Sequence, residues 1–179
     1  MKNQIYLILL IFLAVSCKKE GYKPSVSNTV DMSGRWWVQF FQDTDKDGLI
    51  TSADNLILSY EDYTMYALIT SNTSANTKDS VLVTENPNLK SSFRWPFKFK
   101  TPVNVSNLSF TANPAGSSNL AISGETVSMV SGKILKKAAT TLSGAKADSI
   151  FIEMEFSDDP GNWYIYSGHR DTGQPEDQY

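Results

Sequence analysis

Apolar side chains alternate with other residue types in two stretches, and this alternation is the strongest pattern in the sequence. Between residues 93 and 99, an aromatic residue occupies every odd position. Between residues 150 and 156, the even positions are apolar, whereas Glu153 and Glu155 face the other way. Because successive side chains of a β-strand point to opposite faces, both stretches are predicted to be strands with one buried face.

Shorter runs of the same kind predict six further strands, separated by segments rich in Asn, Asp, Gly, Ser and Pro. These strands are predicted at residues 35–42, 63–70, 80–84, 105–112, 126–135 and 163–168, with turns at 72–78, 86–88, 113–119 and 158–162. Segment 133–139 also fits one or two helical turns, and that choice stays open. About eight short strands predict an all-β fold, either a closed antiparallel barrel or a sandwich.

The N-terminal segment predicts export rather than a membrane span. Lys2 precedes an apolar run over residues 5–15 that is interrupted only by Tyr6. A spanning helix needs about 20 apolar residues, so this run has the length of a secretory signal instead. Ser16 and Cys17 end the run in a pattern that resembles a bacterial lipobox, with Ala14 where Leu is commoner.

The lipobox resemblance implies that the chain is divided into three parts. Residues 1–16 are expected to be a lipoprotein signal peptide, and Cys17 is expected to carry the lipid anchor. Residues 17–32 are expected to be a flexible tether, and residues 33–179 the barrel domain. The alternative is an ordinary signal peptide followed by a chance cysteine.

The net charge and the small numbers of cysteine and histidine exclude several classes of partner and of site. Sixteen Lys and Arg against nineteen Asp and Glu give a formal net charge of −3, so nucleic acid is not an expected partner. The sequence has one cysteine and one histidine. This excludes an intrachain disulfide scaffold and a zinc site made of several Cys and His ligands.

Residues 43–54 fit the twelve-residue calcium loop of EF-hands. Carboxylates fall at positions 1, 3, 5 and 12, glycine falls at position 6, and position 7 offers its carbonyl. The predicted ligands are Asp43, Asp45, Asp47, the carbonyl of Leu49, and Asp54. We expect a structural Ca²⁺ that stiffens a long connection between strands; the alternative is a solvated acidic turn without an ion.

Two resemblances imply which all-β fold the chain adopts. Gly34, Arg35 and Trp36 resemble the Gly-x-Trp signature of lipocalins, in which an arginine of the last strand packs on the tryptophan. This implies that Arg170 is the partner of Trp36. The expected fold is an antiparallel lipocalin-like (calycin) barrel of about eight strands.

The C-terminal segment 166–173 resembles the end of a family of Gram-negative lipoproteins described as lipid-binding putative hydrolases. Residues 66–83, 132–135 and 147–150 resemble the same family. The resemblance implies a lipocalin-like barrel and a lipid or other small hydrophobic ligand. Together with the lipobox, it implies a protein of the bacterial cell envelope, anchored by lipid to the outer membrane.

The preferred function is binding of such a ligand by inward-facing apolar side chains of the barrel. The candidate ligand-binding residues are Trp36, Phe93, Trp95, Phe97, Phe99, Ile152, Met154 and Phe156. The same side chains are equally able to fill the interior as a packed core. Tyr164 and Tyr166 are expected on the opposite face of the last strand, as an exposed aromatic platform.

Two other classes of function stay open. A non-catalytic module that contacts protein partners in the envelope is the first alternative. A hydrolase is the second, and it would depend on His169 with Asp171 beside it, since these are the nearest candidates for a base and its partner. No serine lies in a Gly-x-Ser-x-Gly turn, so the sequence leans against an enzyme.

Overall fold

The computed structural model describes residues 26–58, 64–85 and 96–178. Cys17, Phe93 and Trp95, to which the sequence assigns roles, lie outside this part. The described residues form β1 (Gly34–Asp43), β2 (Asn55–Ile57), β3 (Tyr66–Asn72), β4 (Ser80–Glu85), β5 (Lys98–Asn104), β6 (Ser109–Phe110), β7 (Asn113–Ser118), β8 (Thr126–Thr140), β9 (Lys146–Phe156) and β10 (Trp163–Arg170). Short 3₁₀ turns span Val30–Met32 and Pro175–Gln178. Over these ranges, no helix has the length and apolar character needed to cross a bilayer.

Eight of the described strands close into an antiparallel barrel. Around the ring, β1 is followed by β3, β4, β5, β6, β8, β9 and β10, and β10 pairs with β1 again. The closing pair runs from Trp36 opposite Arg170 to Asp43 opposite Trp163. β2 extends the edge of β1 and β7 pairs with β8. The predicted barrel is confirmed, and the sandwich is excluded.

The region around β8 departs from the predicted segmentation. β8 continues as a strand through the segment left open as a helical turn, because buried Ile134 alternates there with exposed Leu135. The turn predicted at 113–119 is instead β7, which gains hydrogen bonds by pairing with β8. The strand predicted at 105–112 shrinks to two residues, since the chain turns at Leu108, whose φ is 57°.

One end of the barrel, here called the floor, is closed by Trp36 and Arg170. The guanidinium carbon of Arg170 lies 4.3 Å from the centre of the Trp36 ring, which confirms the predicted pair. Arg170 also donates from Nη1 to the Ser33 carbonyl at 2.7 Å and from Nε to Asp148 at 3.2 Å. The indole nitrogen of Trp36 donates to the Thr70 hydroxyl at 2.8 Å. The guanidinium group of Arg170 and the indole N–H of Trp36 therefore both have hydrogen-bond partners at the floor.

Part of the segment predicted as a tether packs against this floor. Met32 is fully buried within the core, and its carbonyl accepts a hydrogen bond from the Thr70 hydroxyl at 2.5 Å. Asn28 donates its backbone N–H to the Asn76 side chain at 3.0 Å. The ordered contacts of the barrel therefore begin before residue 33.

Alternate residues of the strands point inward and form one hydrophobic cluster. In β10, the inner face carries Tyr164 and Tyr166, which lie on the same face as Arg170. The prediction that these two tyrosines form an exposed platform is therefore wrong. They belong to the barrel interior because β10 is the last strand of a closed ring, with its inner face turned away from solvent.

Candidate functional site

The end of the barrel opposite the floor, here called the distal end, carries polar atoms in an otherwise apolar interior. β3 begins there at Tyr66 and β4 ends there at Glu85. β1 and β10 reach the same end with Asp43 opposite Trp163. The described side chains at this end fall into two groups, one inside the barrel and one on its outer wall.

Inside the barrel, six aromatic rings form a distal aromatic cluster. Its members are Phe40, Tyr66, Phe97, Phe156, Tyr164 and Tyr166, all buried. The ring centre of Phe40 lies 4.4 Å from that of Tyr166 and 5.2 Å from that of Tyr164, and the Phe40 and Tyr164 rings are nearly parallel. Phe97 lies 5.6 Å from Tyr166 and 5.7 Å from Phe156. These distances are those of rings in contact, so the cluster is packed.

Three polar side chains point into this apolar space. The Tyr66 hydroxyl donates to the Ile57 carbonyl at 3.0 Å. The Tyr166 hydroxyl is fully buried and has no hydrogen-bond partner among the described residues. Glu85 is 2 % exposed, and burial together with its charge raises the pKa of both tyrosines well above the usual value. An anionic group is thus disfavoured at this place.

The sequence-predicted ligand residues lie along the whole inner surface rather than at one place. Trp36 belongs to the floor, whereas Phe97 and Phe156 belong to the distal aromatic cluster. The remaining described candidates, Phe99, Ile152 and Met154, are buried in the same core. Phe93 and Trp95 lie outside the described residues. The structure therefore brings six of the eight candidates into one interior.

Sequence reasoning missed the inward tyrosines, although a signal for them was present. Arg170 was expected inside the barrel, against Trp36. Residues two apart in a strand share a face, so Tyr164 and Tyr166 had to share the face of Arg170. Glu85 carried no comparable signal, since a carboxylate at the end of a strand is normally solvated.

On the outer wall, residues 43–54 form the connection between β1 and β2. The carboxylates of Asp43, Asp45 and Asp47 each place an oxygen within 4.8 Å of the other two. Asp43 is buried and accepts backbone hydrogen bonds from Lys46 at 2.7 Å and Gly48 at 3.0 Å. Burial opposes ionisation of this carboxyl, but hydrogen bonds from the Gly48 N–H, the Glu153 side chain and the Lys46 N–H outweigh it and leave its pKa below the usual range.

The other two predicted metal ligands lie differently. Asp54 accepts backbone hydrogen bonds from Thr44 at 3.1 Å and Thr51 at 2.7 Å, one on each oxygen. It therefore ties the ends of the loop together and is not part of the three-carboxylate cluster. The Leu49 side chain is exposed, and its backbone N–H donates to Asp47 at 2.8 Å.

A fourth carboxylate reaches the loop from the barrel wall. Glu153 of β9 lies beside Asp43, and the loop covers it so that it is only 3 % exposed. Ser131 donates to its Oε2 at 3.0 Å. Burial, followed by the neighbouring Asp43, raises the pKa of Glu153 to about 7, although the Ser131 hydroxyl opposes this shift. The sequence placed Glu153 on the outer face but did not reveal that the loop covers it.

Comparison with known families identifies the relatives of this barrel. Residues 21–175 match the family model described as "Lipid-binding putative hydrolase". The chain belongs to this family. Among curated proteins, no match to the sequence was found. The match covers the floor, the distal aromatic cluster and the outer-wall loop.

A hydrolase, as named in the family's description, would need a general base and a residue that orients it. The candidates for these two roles, His169 and Asp171, make other contacts in the structure. His169 lies within hydrogen-bond distance of the Arg170 carbonyl, with Nδ1 3.1 Å from that oxygen. Asp171 forms an ion pair with Arg35 and accepts the Gly173 N–H at 2.9 Å. Among the described residues, no hydrogen bond joins His169 to Asp171 or to a serine hydroxyl. In the part of the chain that the structure describes, His169 and Asp171 are therefore not arranged as a base and its orienting partner beside a serine.

Proposed function

We propose that the distal end of the barrel binds a lipid with an uncharged polar head group. The single observation that carries this proposal is the Tyr166 hydroxyl, which is buried without a partner among the described residues. A buried hydroxyl without a hydrogen bond is destabilising by about 1–3 kcal/mol. A ligand head group that accepts from it, or donates to it, removes that penalty.

Membership of a lipid-binding family supports an acyl or similar chain as the apolar part of the ligand. The distal aromatic cluster offers rings against which such a chain packs. Because these rings already touch one another, a chain enters only when some of them turn aside. We therefore expect binding to change the near-ultraviolet circular dichroism of the tyrosines.

The charge of Glu85 supports the choice of an uncharged head group. Burial first, and the neighbouring Glu85 second, raise the pKa of Tyr66 and Tyr166, so both oppose negative charge on groups close to those hydroxyls. A carboxylate or phosphate head group would be opposed in the same way. An alcohol or ester can exchange hydrogen bonds there without bringing a charge.

The test compares ligands that differ only in the head group. The uncharged dye N-phenyl-1-naphthylamine is bound to the purified chain and displaced with dodecanol or with dodecanoate at neutral pH. We expect dodecanol to displace the dye at a concentration about tenfold lower, which corresponds to about 1.4 kcal/mol. Tyr166→Phe should weaken dodecanol binding about three- to tenfold, because one hydrogen bond is lost.

Tyr164→Phe is the matched control. Its ring belongs to the same cluster, but its hydroxyl already donates to Asp159. Dodecanol affinity should therefore change little in this variant. Dye binding that does not saturate, or equal affinity for the two ligands, would refute the proposal.

We also propose that the barrel is held at the outer membrane of a bacterial envelope by lipid on Cys17. The support is the sequence pattern around Ser16 and Cys17, which lies outside the described residues. Two or more acyl chains give stable anchoring, whereas one chain gives only marginal binding. The second candidate function, contact with protein partners of the envelope, would depend on this location.

The anchor is tested by expressing the full chain in a Gram-negative host. We expect the mature N-terminus to be an acylated Cys17 by mass spectrometry, with the protein in the membrane fraction. Cys17→Ser should abolish the added mass and release the protein from that fraction. Unmodified Cys17 in the parent chain is the result that contradicts the proposal.

A further inference from the structure

The loop between β1 and β2 gathers negative charge without a matching cation. Its three clustered carboxylates, Asp43, Asp45 and Asp47, each place an oxygen within 4.8 Å of the others. The ammonium group of Lys46, the one basic residue of the loop, lies over the Trp163 ring at 5.6 Å from its centre. Acidic side chains also cluster in solvated turns, so the loop alone does not identify a ligand.

Glu153 provides the independent observation. It belongs to β9, far from the loop in sequence, and yet its carboxylate lies under the loop beside Asp43. A Cβ placed on Gly48 would lie 3.5 Å from its Oε2 and 3.9 Å from its Oε1, so both oxygens face the loop. Oε1 is buried and receives no hydrogen bond from an N–H group or a hydroxyl of the described residues, and the carboxyl lies in contact with that of Asp43.

No basic side chain balances this fourth carboxylate. The described ion pairs join Arg35 to Asp171, Lys136 to Asp31 and Asp148, and Arg170 to Asp148. None of them includes a carboxylate of the loop or Glu153. Two buried carboxylates in contact are strongly unfavourable unless they share a proton or a positive charge lies between or next to them.

We propose that a calcium ion binds to Asp43, Asp45 and Asp47 and that Glu153 supplies its fourth carboxylate. In an EF-hand loop, the residue at position 12 closes the coordination shell with a carboxylate. Here the corresponding residue, Asp54, lies outside the three-carboxylate cluster and accepts backbone N–H groups on both oxygens, whereas Glu153 contacts Asp43 and has one oxygen without a donor. The barrel wall therefore replaces the last residue of the loop as the closing ligand.

The chemistry of the ligands selects the ion. All four side chains offer only oxygen, which excludes metals that require nitrogen or sulfur ligands. Ca²⁺ accepts six to eight oxygen ligands in flexible geometry, whereas Mg²⁺ demands a small octahedral site and gives up water reluctantly. A loop that must bridge to a separate strand suits the more tolerant ion.

The ion would join two parts of the barrel wall. Asp43 is the last residue of β1, and Glu153 lies in β9, with β10 between these strands. Binding would fix the loop on the outer surface across β10. The calcium site is outside the barrel and does not depend on the proposed lipid ligand. A negative result for calcium binding would therefore leave the lipid-binding proposal unaffected, and the reverse is also true.

The test uses the full chain after chelation, with Ca²⁺ and its luminescent substitute Tb³⁺ as probes. Ca²⁺ should bind with one-to-one stoichiometry by isothermal titration calorimetry and raise the melting temperature. Trp163 lies opposite Asp43 in the β1–β10 pair, so exciting tryptophan should produce Tb³⁺ emission. Ca²⁺ should quench this emission by competition, and Trp163→Phe should abolish most of it while Ca²⁺ binding persists.

The decisive variant is Glu153→Gln, which keeps the shape of the side chain and removes its charge. We expect it to weaken Ca²⁺ binding at least about tenfold, and more than Asp54→Asn does. Without Ca²⁺ it should be at least as stable as the parent, because a buried charge is removed, so lost binding cannot be ascribed to unfolding. Asp158→Asn is the matched control, since this exposed carboxylate lies outside the cluster, and it should bind Ca²⁺ as the parent does.

Three results would overturn the proposal. The first is an absence of both calorimetric heat and thermal stabilisation with the parent chain at about 1 mM Ca²⁺, the weak end of the usual range. The second is unchanged affinity in Glu153→Gln. The third is a larger loss in Asp54→Asn than in Glu153→Gln, which would mean that the loop closes its own coordination shell.

Discussion

Gly168→Ala should lower the free energy of unfolding by at least about 4 kcal/mol, the size of effect seen when a substitution has no room to relax. Gly168 lies opposite Val38 in the pair of strands that closes the barrel. A Cβ at this position would lie 2.6 Å from the Val38 Cα and closer still to the Trp37 carbonyl oxygen. Both neighbours are backbone, so neither can turn aside, and the two strands must separate.

The effect is measured by urea unfolding of the parent and the variant. Gly144→Ala is the control, because a Cβ there would meet nothing within 4 Å although φ is 81°. It should lower stability by only about 1–2 kcal/mol through its left-handed backbone conformation. Equal losses at the two positions would show that backbone conformation, and not the close approach of β1 and β10, requires Gly168.

The strands of the barrel were predictable where one face is wholly apolar. In β9, four apolar residues alternate with outward-facing ones and lie in the core: Ile150, Ile152, Met154 and Phe156. The pattern is reliable there because a slip of one residue would expose the whole apolar set. It failed for β7, whose sequence of Asn, Pro, Gly and Ser is typical of a turn. That strand exists because β8 presents hydrogen-bonding groups to it, which is a tertiary cause.

In the candidate sites too, the features that depend on local spacing were predictable from the sequence, and those that depend on tertiary contacts were not. The carboxylates of the acidic loop are neighbours in sequence, so their clustering follows from local spacing. Glu153 is distant in sequence, and its burial depends on how the loop folds across β10. The partnerless hydroxyl of Tyr166 is likewise a property of its surroundings rather than of its own residue type. The burial of Glu153 and the lack of a partner for the Tyr166 hydroxyl therefore both depend on contacts between residues distant in sequence. Local sequence patterns do not encode such contacts.

The second large effect concerns the floor of the barrel, where two arginine–tryptophan pairs differ in the distance between cation and ring and in the hydrogen bonds of the arginine. Arg170 lies over Trp36 at 4.3 Å inside the floor, whereas Arg35 lies over Trp37 at 5.6 Å on the outer face. A cation over an aromatic ring contributes about 0.5–1 kcal/mol when exposed and about 2 kcal/mol or more when desolvated. Arg170 is 28 % exposed and Arg35 is 43 % exposed, so we expect the closer ring contact and the additional hydrogen bonds of Arg170, more than its burial, to make its loss the costlier one.

Arg170→Ala should lower the free energy of unfolding by about 3–5 kcal/mol. The variant loses the contact with Trp36, the hydrogen bond to the Ser33 carbonyl and the ion pair with Asp148. Hydrogen bonds from a charged donor contribute about 1.5–3 kcal/mol each, so the contact with the ring is not the whole effect. Arg170→Lys should recover only part of the loss, because an ammonium group cannot make the same set of forked hydrogen bonds.

Arg35→Ala is the control for this pair. Its side chain is 43 % exposed and forms an ion pair with Asp171, so its removal should cost no more than about 1 kcal/mol. The double variant Trp36→Leu with Arg170→Ala separates the ring contact from the hydrogen bonds, since an additive result would mean that ring and cation do not interact. Losses of equal size in Arg35→Ala and Arg170→Ala would contradict the assignment of Arg170 as the residue that closes the floor. In that case, the backbone contacts of the 3₁₀ turn at Val30–Met32 would have to hold that end of the barrel instead.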